Sequence, residues 1–350
     1  GAQMPSYLVP PASFFIGTAF LFSMSLAPSS PRVAVVVPVF NRAHCILATL
    51  DSILAQTLRP AQLIVVDNAS TDDSKAVVAT WMQQQKPHCE LLLLSEDTPG
   101  AAAARNRGLQ AVTTEWVSFF DSDDWMSPDF LEKMMRSALA QQREWVIART
   151  RMVFPSSTPA VPVRQVVRWG TPAPTLVDQI LGACIATQSF VAQTDLLRRI
   201  GGWNSALSLW DDYELGLRLL LASPHPAWCE GVFHQIVQHP DSITGGNYCS
   251  RAKQINSALL SLVQILCDSS INLSGAQQEA LSALHYRTHI VAGQLIQEGA
   301  PQAAQELLVT MHYAMPHPKE VTALFATLLR HYVSWGGRGA WRIARLLARC

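Results

Sequence analysis

Residues 116–124 read Trp-Val-Ser-Phe-Phe-Asp-Ser-Asp-Asp, an apolar strand that runs directly into three closely spaced carboxylates. The side chains of Asp121, Asp123 and Asp124 repel one another and resist burial, so this strand end needs a compensating cation. Carboxylate oxygens suit Mg²⁺ or Mn²⁺, and these ions also bind phosphate groups. The stretch indicates either a metal site for a nucleotide diphosphate or an acidic turn before a helix, since Ser127-Pro128-Asp129 is a good helix start.

Apolar, β-branched runs before this strand alternate with helical segments. We predict strands at 33–37, 63–66, 91–94 and 117–120, and helices at 44–56, 72–85 and 100–111. Ser70 or Thr71 is the expected cap of the second helix. The alternation implies a mostly parallel α/β sheet with right-handed crossovers. Ligands of such sheets bind at the carboxyl ends of the strands, where Asp67 and Asp121 lie.

The rest of the chain differs in character. Residues 150–175 are rich in proline and predict irregular strands and loops. The predicted helices are 176–182, 194–200, 211–222, 251–267, 274–298, 301–314, 318–334 and 338–349. We divide the chain into an apolar N-terminal arm and linker, an α/β domain and a helical C-terminal domain, at residues 1–31, 32–248 and 249–350.

Composition narrows the class of protein. The 350 residues are 49% hydrophobic and carry no formal net charge, so a large core is available and nucleic acid is not an expected partner. Seven scattered cysteines without a CxxC pair favour free thiols and a cytoplasmic location. The apolar arm lacks Lys or Arg before Arg32 and contains Pro10-Pro11, which disfavours a signal peptide and a spanning helix.

Five segments occur in a particular order: 37–42 (Val-Pro-Val-Phe-Asn-Arg), 65–72 (Val-Val-Asp-Asn-Ala-Ser-Thr-Asp), 99–109 with Ala104-Arg105-Asn106-Arg107-Gly108, the acidic run 121–124, and 201–218 with Gly201-Gly202-Trp203 and Asp211-Asp212-Tyr213-Glu214. In this order and spacing they closely resemble the inverting family 2 glycosyltransferases. The resemblance covers residues 32 to about 245. It implies the GT-A fold, an α/β architecture with a Rossmann-like mixed sheet, here followed by helices.

The resemblance also implies a binding site for a nucleotide base. The Asp67 carboxylate would accept a hydrogen bond from a pyrimidine N3–H, and we expect Asn41 and the backbone of Pro38 and Phe40 to line the base. Asn68 stands where the family often has Asp. This departure leaves a UDP-sugar or a dTDP-sugar donor open.

Phosphate and metal are expected beside that base. Asp123 is the best candidate metal ligand, and Asp121 faces the ribose or shares the metal. His239 resembles a family histidine that completes the metal shell or touches the diphosphate, although a structural histidine is an alternative. Arg105 either braces the nucleotide or forms a structural ion pair with Asp67 or Asp121. Asp124 is expected as a supporting partner or a helix cap.

The fifth segment matches the family's catalytic base. Asp212 occupies the base position, and the neighbouring carboxylate of Asp211 would help to shift its pKa. The alternative is that both residues merely cap the helix, in which Glu214 and Arg218 are spaced as an i,i+4 pair. The two tryptophans of this segment, Trp203 and Trp210, either stack on a sugar ring or belong to the hydrophobic core.

These expectations combine into an inverting, metal-dependent glycosyltransferase that acts on a saccharide or lipid-linked acceptor in polysaccharide or glycolipid assembly. A catalytically silent nucleotide-sugar-binding scaffold is the alternative. A nucleotidyltransferase is disfavoured because residues 38–42 lack the glycines of a triphosphate loop. The basic, amphipathic end at 335–349 suggests peripheral contact with a membrane, packing on the helical domain, or a homo-oligomer.

Overall fold

The computed structural model describes residues 30–85, 88–154, 163–167, 170–237, 247–268 and 274–349. Almost all of the arm predicted at 1–31 lies outside these ranges, and so does His239. Within them, no helix combines the length and the apolar character needed to cross a membrane. The cysteines that lie in the described part of the chain are free thiols: Cys45, Cys89, Cys184, Cys229, Cys249 and Cys267.

The first half of the chain alternates strands and helices as predicted. Its elements are β1 (Val33–Val39), α1 (Ile46–Leu54), β2 (Gln62–Asp67), α2 (Ser74–Gln84), β3 (Glu90–Ser95), α3 (Ala101–Ala111) and β4 (Trp116–Phe119). Every residue of β1, β2 and β4 is buried. Burial on both faces explains why these strands read as continuous apolar runs without polar alternation.

The part of the chain that follows β4 contains strands that the sequence pattern does not predict. It consists of β5 (Trp125–Met126), α4 (Phe130–Ala140), β6 (Trp145–Phe154), β7 (Arg164–Val167), α5 (Leu176–Gly182), β8 (Phe190–Gln193), α6 (Thr194–Arg199), α7 (Asp211–Ala222) and β9 (Ala227–Val237). The helices α5, α6 and α7 were predicted within one residue of these bounds. The strands β8 and β9 were not predicted.

One sheet contains all of these strands, in the order β3-β2-β1-β4-β8-β6-β9-β5 with β7 beside β6. The strands β1 to β4 pair in parallel, whereas β8 runs antiparallel to both β4 and β6. The sheet is therefore mixed, as the GT-A resemblance implies. The alternation of strands and helices predicted a mostly parallel sheet, and this prediction holds only for the half formed by β1 to β4. Because β1, β2 and β4 are parallel, their carboxyl ends share one edge.

The C-terminal region is helical: α8 (Ala252–Leu266), α9 (Ser274–Gln297), α10 (Pro301–Ala314), α11 (Glu320–Ser334) and α12 (Ala340–Leu347). Its hydrophobic core is continuous with side chains of α5 and α7, among them Ile180 and Leu217. Two arginines of the C-terminal end, Arg345 and Arg349, form ion pairs of 3.1 and 3.2 Å with Asp178 on α5. These contacts attach the helical region directly to the elements that carry the site.

Candidate active site

Close packing of α3 on the sheet sets the position of the site. A Cβ atom at Gly108 would lie 2.3 Å from Cγ1 of Val36, so only glycine lets α3 approach β1 this closely. The helix begins after Gly100, whose φ of +126° favours glycine. Arg105, near the middle of α3, is consequently held close to the carboxyl ends of β1 and β4.

The base-binding residues predicted from the sequence lie at the ends of β1 and β2. Asp67 is 5% exposed, and its Oδ1 has no hydrogen-bond partner among the described residues. A buried carboxylate oxygen without a donor is costly, so it suits a ligand that brings an N–H group. Pro38 lies opposite Val66 in the sheet, and the Phe40 side chain is exposed just beyond β1.

The hydrogen bonds of Asn68 explain why an asparagine stands where the family often has aspartate. Its Nδ2 donates to the carbonyl oxygens of Glu96 and Thr98 at 2.9 and 2.7 Å, and its Oδ1 accepts from the Gly100 N–H at 2.7 Å. An aspartate could accept the last bond but could not donate the first two. The amide therefore ties the end of β2 to the start of α3.

Asn41 adopts a positive φ of 53° and braces the neighbouring loop. Its Oδ1 accepts from the N–H groups of Thr71 and Asp72 at 2.8 and 3.3 Å, and its own N–H donates to Ser70 Oγ at 3.1 Å. The prediction that Ser70 or Thr71 caps α2 is wrong, because the N-cap is Asp73 and these residues face Asn41 instead. The side-chain oxygen of Asn41, a residue expected to line the base, is thus engaged within the protein.

Arg105 joins two parts of the site that lie far apart in sequence. Its guanidinium donates to Asp121 Oδ1 at 2.8 Å and to Asp211 Oδ2 at 2.7 Å, and it lies 4.4 Å from the ring centroid of Trp203. Burial by itself would lower the pKa of Arg105, but the negative charges of the two carboxylates have the larger effect and raise this pKa. The ion pair anticipated with Asp121 is confirmed, whereas the alternative partner Asp67 is replaced by Asp211.

Gln188 is a site residue that the sequence does not reveal. It lies in a single 3-10 turn, and its Nε2 donates to Asp121 Oδ2 at 2.6 Å and to Asp124 Oδ2 at 2.5 Å. Asp124 Oδ1 accepts from the Val237 N–H at 2.9 Å. Burial, with the nearby charges of Asp121 and Asp123, raises the pKa of Asp124 well above its usual value. Asp124 is not a helix cap, since it joins the end of β4 to β9.

Asp123 lies on the outer side of the acidic run. Its Oδ2 is 3.0 Å from Nε of Arg42, and both side chains are about one-fifth exposed. No cluster of three His, Cys, Asp or Glu side chains arranged to hold a metal occurs in the described ranges. The carboxylate oxygens of Asp123 nevertheless suit a divalent metal ion as ligands. In this structure the positive charge beside Asp123 is the guanidinium of Arg42.

The first turn of α7 carries the candidate base. Trp210, with a φ of +61°, is the N-cap, so Asp211 and Asp212 are helical residues rather than caps. The Asp212 N–H donates to Asp211 Oδ1 at 3.0 Å. The i,i+4 pair of Glu214 and Arg218 is confirmed, with the Arg218 Nε 3.0 Å from Glu214 Oε2.

The two tryptophans of this segment have different surroundings. Trp203 is 2% exposed, meets Phe119 edge to face at 5.5 Å, and lies under Arg105. It is a core residue, so its interpretation as a sugar platform is wrong. Trp210 is partly buried and contacts Tyr213 edge to face at 5.6 Å, with the Arg287 guanidinium 5.0 Å from its ring.

Known proteins match both the sequence and the fold. The sequence profile of Glycosyl transferase family 2 matches residues 34–200. The putative glycosyltransferase EpsH of Bacillus subtilis is 31% identical over 109 residues, which is 31% of this chain and 31% of that protein. The matched segments span between 16% and 31% of the lengths of the first curated relatives.

Two solved structures share the fold over nearly the whole chain. S. aureus TarS 1-349 in complex with UDP-GlcNAc has a TM-score of 0.65 at 15% identity, covering 91% of each chain. The mannosyltransferase PcManGT of Pyrobaculum calidifontis, in complex with GDP-Man and Mn²⁺, has a TM-score of 0.53 at 21% identity, covering 91% of this chain and 86% of that one. By motifs, profile and architecture, residues 34–200 belong to glycosyl transferase family 2, within a GT-A fold followed by a helical C-terminal region.

Proposed function

We propose that this protein is an inverting, metal-dependent glycosyltransferase that moves a sugar from a UDP-sugar or dTDP-sugar to a hydroxyl acceptor. The observation that carries the proposal is the double ion pair of Arg105. One guanidinium binds Asp121 at the end of β4 and Asp211 at the start of α7. It thereby holds the candidate base Asp212 close to the residues assigned to the donor.

Asp67 is the proposed contact for the base of the donor. Its buried Oδ1 lacks a hydrogen-bond partner within the described structure, and a pyrimidine N3–H would supply the missing donor. The exposed ring of Phe40 and the backbone near Pro38 lie at the adjacent strand end. The UDP-GlcNAc bound by TarS, which shares this fold, supports a uridine nucleotide.

Asp123 is the proposed ligand of a Mn²⁺ or Mg²⁺ ion, with His239 proposed as a second ligand. A bound divalent ion would neutralise the charge that develops on the departing diphosphate. The Mn²⁺ complex of PcManGT supports this assignment. Asp121 already contacts Arg105 and Gln188, so we assign it to holding the site together and to the ribose rather than to the metal.

Asp212 is the proposed general base. It would take the proton of the acceptor hydroxyl while that oxygen attacks the anomeric carbon and the bond to the diphosphate breaks. Direct displacement of this kind converts an α-linked donor into a β-linked product. Asp211 is bound to Arg105 and to the Asp212 N–H, so we assign it a positioning role. The acceptor is proposed to be a saccharide or a lipid-linked saccharide, in polysaccharide or glycolipid assembly.

A screen of nucleotide sugars by thermal shift, with and without Mn²⁺, tests the proposal. Release of the nucleotide from each stabilising donor would then be followed over time. We expect a UDP-sugar or dTDP-sugar to stabilise the protein only with the metal and to be turned over slowly. Absence of metal-dependent stabilisation by every donor would overturn the proposal. Stabilisation without turnover, alone or with acceptors, would support the scaffold alternative.

A further inference from the structure

The helix α11 has a second apolar face that no part of the described structure covers. Six large apolar side chains lie on it, each between 37% and 84% exposed: Val321, Leu324, Phe325, Leu328, Tyr332 and Trp335. At 3.6 residues per turn, these six positions fall within an arc of about 100°. The buried side chains of α11, such as Leu329 and Val333, point elsewhere and form the contact with the helical core. The exposed face is therefore additional to the packing face.

Positive charge predominates at the C-terminal end of this face, whereas the helix begins with the exposed Glu320. Residues 321–350 contain five arginines and neither Asp nor Glu, in a chain whose formal net charge is zero. Two of these arginines, Arg345 and Arg349, are bound to Asp178. Arg338 is exposed. Residues 321–350 thus carry an excess of positive charge, which an anionic surface would attract.

Local contacts hold Arg338 near the end of the apolar face. The Tyr332 hydroxyl donates to the Arg338 carbonyl oxygen at 2.9 Å. The Tyr332 ring also lies against Gly337, where an added Cβ would come within 2.5 Å of the ring. The turn that follows α11 is therefore closely packed. It fixes the backbone of Arg338 three residues beyond Trp335, whose side chain is 84% exposed.

We propose that the exposed face of α11 docks on an anionic lipid surface. An apolar helical face that ends in an exposed tryptophan, with an exposed arginine three residues later, is typical of helices that lie in the membrane interface. Association of two copies of this chain through the same face is the competing outcome, and the experiment below distinguishes it from lipid binding. Docking here is independent of the proposed chemistry, so either claim can fail without the other.

Co-sedimentation of the full chain with lipid vesicles tests the proposal. Vesicles of phosphatidylcholine alone are compared with vesicles that contain phosphatidylglycerol. The test variant is Leu324→Glu/Leu328→Glu, and the control is Leu139→Glu, because Leu139 on α4 and Leu328 have similar exposure of 51% and 53%. All three proteins retain the apolar residues 7–27, so lipid binding through that segment is the same in each.

We expect the wild type and Leu139→Glu to bind the anionic vesicles several-fold more than the neutral ones. The double variant should bind them about tenfold less, because two leucines no longer enter the interface. Trp335→Ser and Arg338→Gln provide a second pair if the double variant unfolds early, and each should weaken binding. Equal binding by variants and wild type would overturn the proposal. So would a wild-type dimer, detected by light scattering, that the double variant loses while neither protein binds vesicles.

Discussion

The Nε atom of Arg42 lies 3.0 Å from Oδ2 of Asp123, the carboxylate that we assign to the metal. The same arginine donates from Nη1 to the Asn41 carbonyl oxygen at 3.2 Å, so its side chain is positioned by the end of β1. A protein cation and a divalent ion would compete for one carboxylate. Donor binding should therefore involve displacement of Arg42 from Asp123.

We expect Arg42→Gln to bind Mn²⁺ about fivefold more tightly than the wild type, since a partly exposed ion pair contributes at most roughly 1 kcal/mol. Electron paramagnetic resonance of free and bound Mn²⁺ measures this affinity without nucleotide. The control is Arg136→Gln, which removes an exposed pair with Glu132 on α4 and should leave the affinity unchanged. Weaker Mn²⁺ binding by Arg42→Gln would show that Arg42 supports the metal rather than competing with it.

Arg105→Gln should lower the free energy of unfolding by about 3 kcal/mol or more, because it leaves Asp121 and Asp211 without their buried counter-charge. Urea unfolding at neutral pH measures the change. Arg107→Gln is the matched control, since Arg107 lies on the same helix and is only partly buried. That control should change stability by less than about 0.5 kcal/mol. Equal stability of the two variants would mean that the double ion pair contributes little.

Asp67→Asn should weaken binding of UDP by about tenfold or more, because a charged acceptor of the base N–H is lost. Isothermal titration of UDP in the presence of Mn²⁺ gives the dissociation constants. Asp97→Asn, at an exposed position after β3, should bind UDP as the wild type does. Unchanged UDP affinity in Asp67→Asn would place the base elsewhere.

His234 predicts a specific dependence of stability on pH. Burial lowers the pKa of this imidazole to about 3. Because folding lowers this pKa, the neutral His234 contributes fully to the free energy of unfolding above the unfolded-state pKa of about 6.5. This contribution is lost as the pH falls towards 3. Between pH 7 and pH 5 the loss amounts to about 2 kcal/mol.

Urea unfolding of the wild type and His234→Gln at both pH values isolates this effect. Glutamine can still reach Thr150 Oγ1, which lies 2.9 Å from His234 Nε2. The variant should lose about 2 kcal/mol less than the wild type on acidification. The exposed His225, replaced in His225→Gln, provides the control and should leave the pH dependence unchanged. An identical pH dependence in His234→Gln would contradict the assigned burial effect.

The sequence predicted those elements whose signals are local. The bounds of α7 and α10 were predicted to the residue, because Asp211-Asp212 and Pro301 mark helix starts and the apolar period is clear. By contrast, β8 has only four residues, and β5 has two that are ordered by pairing with β9. Such strands exist because of long-range pairing, which a local pattern does not encode.

The site residues, too, could be predicted only where their signals are local. The acidic run and Asp67 could be placed at one edge of the sheet, because the ends of parallel strands follow from the strand pattern. Gln188 could not, since a single glutamine has no motif and its role depends on contacts with carboxylates more than sixty residues away. The same limit applies to the Arg42–Asp123 pair and to the Arg105–Asp211 contact, which connect segments 81 and 106 residues apart.

The proposed sugar transfer depends on Asp212, which would act as the base next to a bound donor. Nucleotide release from the most stabilising donor is compared for the wild type, Asp212→Asn and the control Asp195→Asn, which changes an exposed carboxylate on α6. We expect Asp212→Asn to bind the donor with wild-type affinity but to release nucleotide at least about a hundredfold more slowly. Asp195→Asn should match the wild type. Equal rates for Asp212→Asn and the wild type, at equal donor affinity, would show that Asp212 is not the base.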